Sequence, residues 1–400
     1  MNEIPHEPRT GRAVPRGLAQ TGPVLFSYGF RPFFLAAGVW AALAVPLWLA
    51  GFFGWLPHIT RDWHVHEMLF GYLSSVIAGF LLTAIPNWTG RLPVTGAPLV
   101  LLFSLWCVGR LAMLVAPESV AAAFLDSLFL VALAGVVARE VIAGKNVRNL
   151  PVCVMVGLLA TANVLTHLRF VDTGLAALGE RGALAAVAML LALIGGRITP
   201  TFTRNWLAKR QSPSLPTPSG RFDMVVLAIT ALALLTWIGA PDLAPTGAGL
   251  ALAGLLNAAR LSRWCGRLTF AEPLVTILHI GYGWLALALM LMGGHVLAPD
   301  AIASAAGVHA LTAGAFGVMT LAVMTRATRG HTGQPLTADR ATQALYALVN
   351  AGALVRVAAP FFPNLYGPFL MVAAFLWSGA FVVFVAAYAP LLLRRRQTAG

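Results

Sequence analysis

The chain has 400 residues, of which 58% are hydrophobic and only 10% charged, and its mean hydropathy is +0.79. Soluble domains carry about 25% charged residues, so this composition excludes that class and indicates an all-α polytopic membrane protein. The net charge of +13 does not signal a nucleic-acid partner, because the basic residues sit in short clusters between apolar runs.

Residues 1–22 contain Pro, Arg and Gly but no apolar core or cleavage site, and are predicted to be a cytoplasmic N-terminal tail, not a signal peptide. Apolar runs of spanning length, about 20 residues each, follow at 33–55, 64–86, 97–116, 120–143, 150–168, 182–200, 222–240, 244–262, 272–293, 301–326, 341–359 and 366–390. They predict twelve helices in a single transmembrane domain over 23–392, with a basic cytoplasmic tail over 393–400. With both termini inside, all but five of the 27 Lys and Arg fall on the inner side. Arg61, Arg169 and Arg181 lie outside, while Arg110 and Arg356 lie within spans. This is the positive-inside bias. The longest inner loop, 201–221, is rich in Ser and Pro and is predicted to link two halves flexibly. Cys107, Cys153 and Cys265 are dispersed without CxxC or CxxCH spacing. A disulfide framework, a thiolate metal site and covalently attached haem are therefore disfavoured.

Helix 2 contains His66, Gly71, Thr89 and Gly90, and helix 10 repeats the spacing with His309, Gly314, Thr332 and Gly333. Helix 6 ends in Pro200-Thr201-Phe202-Thr203, like Pro86-Asn87-Trp88-Thr89 in helix 2, but has no matching histidine. Helices 2, 6 and 10 are four apart, which predicts a threefold pseudo-repeat of four-helix units.

Helix 2 opens with Trp63-His64-Val65-His66-Glu67. Imidazoles and a carboxylate at the mouth of a span are costly to bury and need partners. At about 100° per residue, His64 and Glu67 share one face and His66 points nearly the opposite way. His64, His66, His309 and His167 are predicted near the outer surface, His279 about two turns from the inner face, and His331 just beyond the inner end of helix 10. Two histidines from facing helices can clamp a b-type haem, and His66 with His309, at equivalent positions of the repeat, is the first choice for a non-covalent haem. Either one could instead hydrogen-bond a backbone carbonyl. Arg110 and Arg356 are placed to pair with haem propionates; the competing partners are Glu67 and Asp126, or the outer interface. His64, His167 and His279 are candidate copper ligands, although the depth of His279 separates it from the other two. His331 is a fourth metal candidate, set among inner Arg, Thr and Gly residues that would otherwise be helix caps. Glu67 is the carboxylate placed to orient a ligating imidazole or to carry protons, and so takes the catalytic assignment.

The pieces GFRPFF (29–34), WHVHEMLFGY (63–72), AGFLLTAIPNWTG (78–90), GGRITPTFTRNW (195–206), HIGYGW (279–284) and HALTAGAFGVMTLAVMTRATRGHTG (309–333) resemble the NnrS family over almost the whole chain. The resemblance implies a multi-pass protein of the bacterial inner membrane that contains haem and copper, is linked to denitrification, and limits nitrosative damage. Its partners would be nitric oxide or iron-nitrosyl species and the lipid bilayer, with no nucleic acid and no named electron donor. If the protein is an enzyme, the implied reaction is nitric-oxide reduction. In helix count and layout the chain also resembles subunit I of the haem-copper oxidases, but helices 6 and 7 lack the histidines that hold copper there. Two readings of other classes stand beside this one. A secondary transporter would show six-plus-six symmetry and a mid-membrane substrate site, whereas a sensor or assembly protein would hold haem without turnover.

Overall fold

The computed structural model describes residues 22–395, so most of both predicted tails, 1–22 and 393–400, lies outside the described residues. Twelve long helices account for the fold, and there is no strand among the described residues. They are α1 (Phe30–Phe52), α2 (Arg61–Thr89), α3 (Ala97–Val115), α4 (Val120–Ala143), α5 (Val147–Phe170), α6 (Thr173–Ala208), α7 (Arg221–Gly239), α8 (Ala244–Ser262), α9 (Pro273–Leu297), α10 (Ser304–Thr332), α11 (Arg340–Phe361) and α12 (Pro363–Leu393). Eleven are long and apolar enough to cross a membrane. The exception, α8, is diluted by Pro245, Thr246, Asn257 and Arg260, all on a helix of spanning length. We call outer the face at which α2, α4, α6, α8, α10 and α12 begin, the side that the sparse basic residues predict to lie away from the cytoplasm.

Several helices start on side-chain caps. Thr60 accepts from the Trp63 amide at 3.2 Å, and Ser119 from the Ala122 amide at 3.1 Å, satisfying amides that have no partner within the helix. Gly90 and Gly333 end α2 and α10 with φ of 71° and 80°, a left-handed closure that glycine adopts without strain. Three boundaries differ by six residues or more from those predicted. Helix α6 begins nine residues earlier, because Glu180 and Arg181 interrupt its apolar run without breaking the helix, and it continues past Pro200, shortening the inner loop. That loop is tied down, since Thr217 donates to the Arg263 carbonyl at 3.1 Å and Arg204 to the Pro216 carbonyl at 3.3 Å. Helix α10 runs on to Thr332, so His331 sits in its last turn and not beyond it.

The threefold repeat is present in the packing. Helices α2, α6 and α10 meet around a small apolar cavity. It is lined by Leu73, Val76, Ile77 and Phe80 of α2, by Val187, Leu190, Leu191 and Ile194 of α6, and by Phe316, Met319, Thr320 and Val323 of α10. The α6 set lies 114 residues on from the α2 set, the spacing of Pro86 to Pro200, and the α10 set lies 243 on, the spacing of His66 to His309. Each set is an i, i+3, i+4, i+7 stripe, the face one helix presents to a neighbour. The three helices that the predicted repeat makes equivalent thus present equivalent positions to one another.

Each of these three helices contains a π-helical stretch: Glu67–Leu73 in α2, Leu191–Gly195 in α6 and Ala310–Phe316 in α10. Wider turns of this kind release carbonyls from the usual ladder and occur often at functional sites. Here Trp106 donates to the Gly71 carbonyl at 2.9 Å and Arg260 to the Ala192 carbonyl at 3.0 Å. Glycines in the stretches let aromatic rings approach. A Cβ at Gly71 would lie 2.7 Å from Trp40 Nε1, and one at Gly314 would lie 2.6 Å from the Trp284 ring.

Candidate metal and cofactor sites

The first α-helical turns of α2, just before its π-helical stretch, divide its two histidines between two sites. His66 turns toward α4 and α5. Its Nδ1 lies 3.0 Å from Glu67 Oε1 and its Nε2 lies 3.0 Å from Asp126 Oδ2. The same Asp126 oxygen is 2.9 Å from His167 Nε2 and accepts from the Asn163 amide at 2.7 Å. Arg110 closes the group from α3, donating to both Glu67 oxygens at 2.6 Å and to Asp126 Oδ1. All these side chains are buried.

Charge and proton counting define what this cluster can hold. Two carboxylates face one guanidinium, leaving one negative charge inside the bundle, where an unbalanced charge is costly. Both nitrogens of His66 face carboxylate oxygens, yet a neutral imidazole can donate through only one of them. A second proton on His66, or a cation at its Nε2, satisfies both requirements. One ligand atom from each of His66, Asp126 and His167 lies within 4.8 Å of the other two, a donor set of two imidazoles and a carboxylate that suits copper or zinc. In that case Glu67 is the acceptor that fixes the His66 ring, as outer partners of metal-bound histidines commonly do.

His64 turns the other way, onto Trp48 at a ring-centroid distance of 4.4 Å. It lines a cavity of about 1290 Å³ that opens toward the outer face, together with His309, Arg356, Tyr72 and His295. This exceeds the ~300–1,000 Å³ of common small-molecule pockets. His309 donates from Nδ1 to the Ala305 carbonyl at 2.8 Å, which leaves Nε2 as its free lone pair. His64 Nδ1 and Arg356 Nη1 are buried without a hydrogen-bond partner. At the mouth, Arg61 and Arg169 bridge Asp62 and Glu180, with Arg61–Glu180 at 3.2 Å and Arg169–Glu180 at 2.9 Å.

The residues expected from sequence are therefore grouped differently. The pair His66 and His309 is not brought together: His66 is held in the carboxylate cluster and does not line the cavity that His309 faces. Symmetry gives the reason. Equivalent residues of a threefold repeat share a depth but are rotated by about a third of a turn, so each looks into its own unit. Arg110 takes the competing partners Glu67 and Asp126, not a propionate, and Glu67 does not reach the cavity. Arg356 does line it. His279, in the inner half, bonds Thr203 Oγ1 at 2.8 Å through Nε2 and joins neither outer group. His331 packs against the rings of Tyr28 and Phe30, each at 5.4 Å. Asn163 and His295 went unrecognised in the sequence. Asn163 could have been found from its i, i+4 relation to His167.

A twelve-helix bundle with a buried imidazole–carboxylate cluster and a large histidine-lined outer cavity defines a polytopic membrane protein with a candidate metal site. The sequence matches the family described as NnrS protein over residues 24–396. The chain belongs to that family, and is thus a multi-pass membrane protein of the nitric-oxide response. No individual characterised protein matches it at a significant level.

Proposed function

We propose that this chain is a haem- and copper-containing protein of the bacterial inner membrane, both termini cytoplasmic, that binds nitric oxide or iron-nitrosyl species and so limits nitrosative damage. The observation that carries the reading is the cavity with two imidazoles and a guanidinium left partly unsatisfied: His64 Nδ1 and Arg356 Nη1 are buried without partners, Arg356 Nη2 reaches the Tyr366 hydroxyl at 3.5 Å, and His309 keeps one nitrogen free. Orphaned buried polar atoms are rare in folded proteins; His64 and His309 would be the residues to hold the iron of a b-type haem, and Arg356 to pair with a propionate. His66, His167 and Asp126 would hold copper, with Glu67 and Arg110 as positioning residues. When bound, haem and copper supply open or exchangeable positions for a diatomic ligand and one-electron chemistry.

The residues themselves do the remaining work. The Ala305 carbonyl fixes the His309 tautomer, and Trp48 holds the His64 ring. The ion-paired Arg61, Asp62, Arg169 and Glu180 form a polar mouth. Detergent-purified protein is expected to show Soret absorbance, copper by elemental analysis and a spectral change on adding nitric oxide. A preparation with neither haem nor copper would overturn the reading.

A further inference from the structure

The cavity on the threefold axis belongs to neither site described above. Its volume is about 90 Å³, several times the ~30 Å³ share of one liquid water and too small for a porphyrin. Except for Gly195 and Thr320, every residue lining it has an apolar side chain. The Thr320 hydroxyl is already engaged, donating to the Phe316 carbonyl at 2.7 Å and pairing with Tyr72. A buried water needs two to four polar partners, and dry cavities walled by Leu, Ile and Phe take up xenon or small apolar molecules. This one has such walls and offers no partners.

Its position gives it a use. Leu73 lines both this cavity and the large outer one, so a single side chain and the Tyr72–Thr320 pair separate them. At the inner rim, Phe80, Ile198 and Val323 are only half-buried, so the cavity is open between the three helices on that side.

We propose that the axial cavity is a docking site for a small apolar gas molecule, the class to which nitric oxide and dioxygen belong, separated from the histidine-lined cavity by Leu73 and the Tyr72–Thr320 pair. The binding follows from volume and lining alone; only the identity of the gas rests on the function proposed above.

Xenon is the probe. Crystals of the full-length chain under xenon pressure are expected to show a xenon atom among Leu73, Leu191 and Met319. Leu191→Trp, which fills the space, is expected to abolish that occupancy, and the milder Val76→Leu to lower it by half or more should the tryptophan variant not fold. Absence of xenon in the unmodified chain, an acyl or detergent chain in its place, or xenon retained in a filled variant overturns the proposal. Soret absorbance read on the same preparation separates the two claims. Xenon bound without a Soret band leaves the docking site standing and removes the haem assignment, whereas the reverse result removes only the docking site.

Discussion

His64 and His66, two residues apart on α2, serve different sites: His64 stacks on Trp48 in the outer cavity, and His66 bridges Glu67 and Asp126 on the far side of the helix. About 200° of helical rotation separates them. Their substitutions should therefore have separable effects. His64→Ala and His309→Ala are expected to reduce Soret absorbance severalfold and spare copper, while His66→Ala and His167→Ala should release copper and spare the Soret band. Parallel loss of both in all four variants would refute the division.

Among the described residues, Arg110 is the one guanidinium that pairs with both Glu67 and Asp126. Breaking a buried ion pair by removing one member costs about 3–5 kcal/mol, so Arg110→Ala should lose most of the folded protein, read as yield and thermal midpoint in detergent. Arg110→Lys is expected to recover little, because an ammonium lacks the planar fork that spans two carboxylates. Full stability of Arg110→Ala would show that the cluster is not charge-balanced through this residue.

Gly71 lies where the π-helical turn of α2 passes Trp40, Arg110 and Glu67, and a Cβ there would approach within 2.7 Å, 2.8 Å and 2.8 Å of their polar atoms. Overpacking of this kind costs about 1–3 kcal/mol. Gly71→Ala should lower the thermal midpoint and weaken metal retention together. Gly135→Ala, where a Cβ meets nothing within 4 Å, is the control and should be neutral or slightly stabilising.

Asp339 caps α11 at the predicted cytoplasmic face, accepting from the Thr342 amide at 2.8 Å, from its hydroxyl at 2.6 Å and from Arg329 at 2.8 Å. Burial opposes ionisation of its carboxyl, but the bonds from Thr342 and the pairing with Arg329 outweigh it, holding the group below its usual pKa. A depressed folded-state pKa stabilises above the unfolded value and loses that contribution as pH falls through the folded value. Asp339→Ala should thus cost about 1 kcal/mol near neutral pH and progressively less below about pH 4. A difference that does not shrink in acid would place the effect in packing and not in charge.

The sequence by itself determined the helix count and the register of the threefold repeat. Hydropathy and charge placement are local properties of the chain, and the repeat is written in the fixed offsets that place the axial residues of α2, α6 and α10. It also limited the chemistry to a few histidines, arginines and carboxylates near one face. Only the tertiary structure decided how these combine. Matching depth made His66 and His309 look like partners, yet equal depth is what any rotational repeat imposes, and rotation points the two rings into separate units. Asp126, one buried carboxylate on α4, gathers His66, His167, Asn163 and Arg110 from three other helices. No local signal specifies that meeting, because it depends on which helix faces pack together.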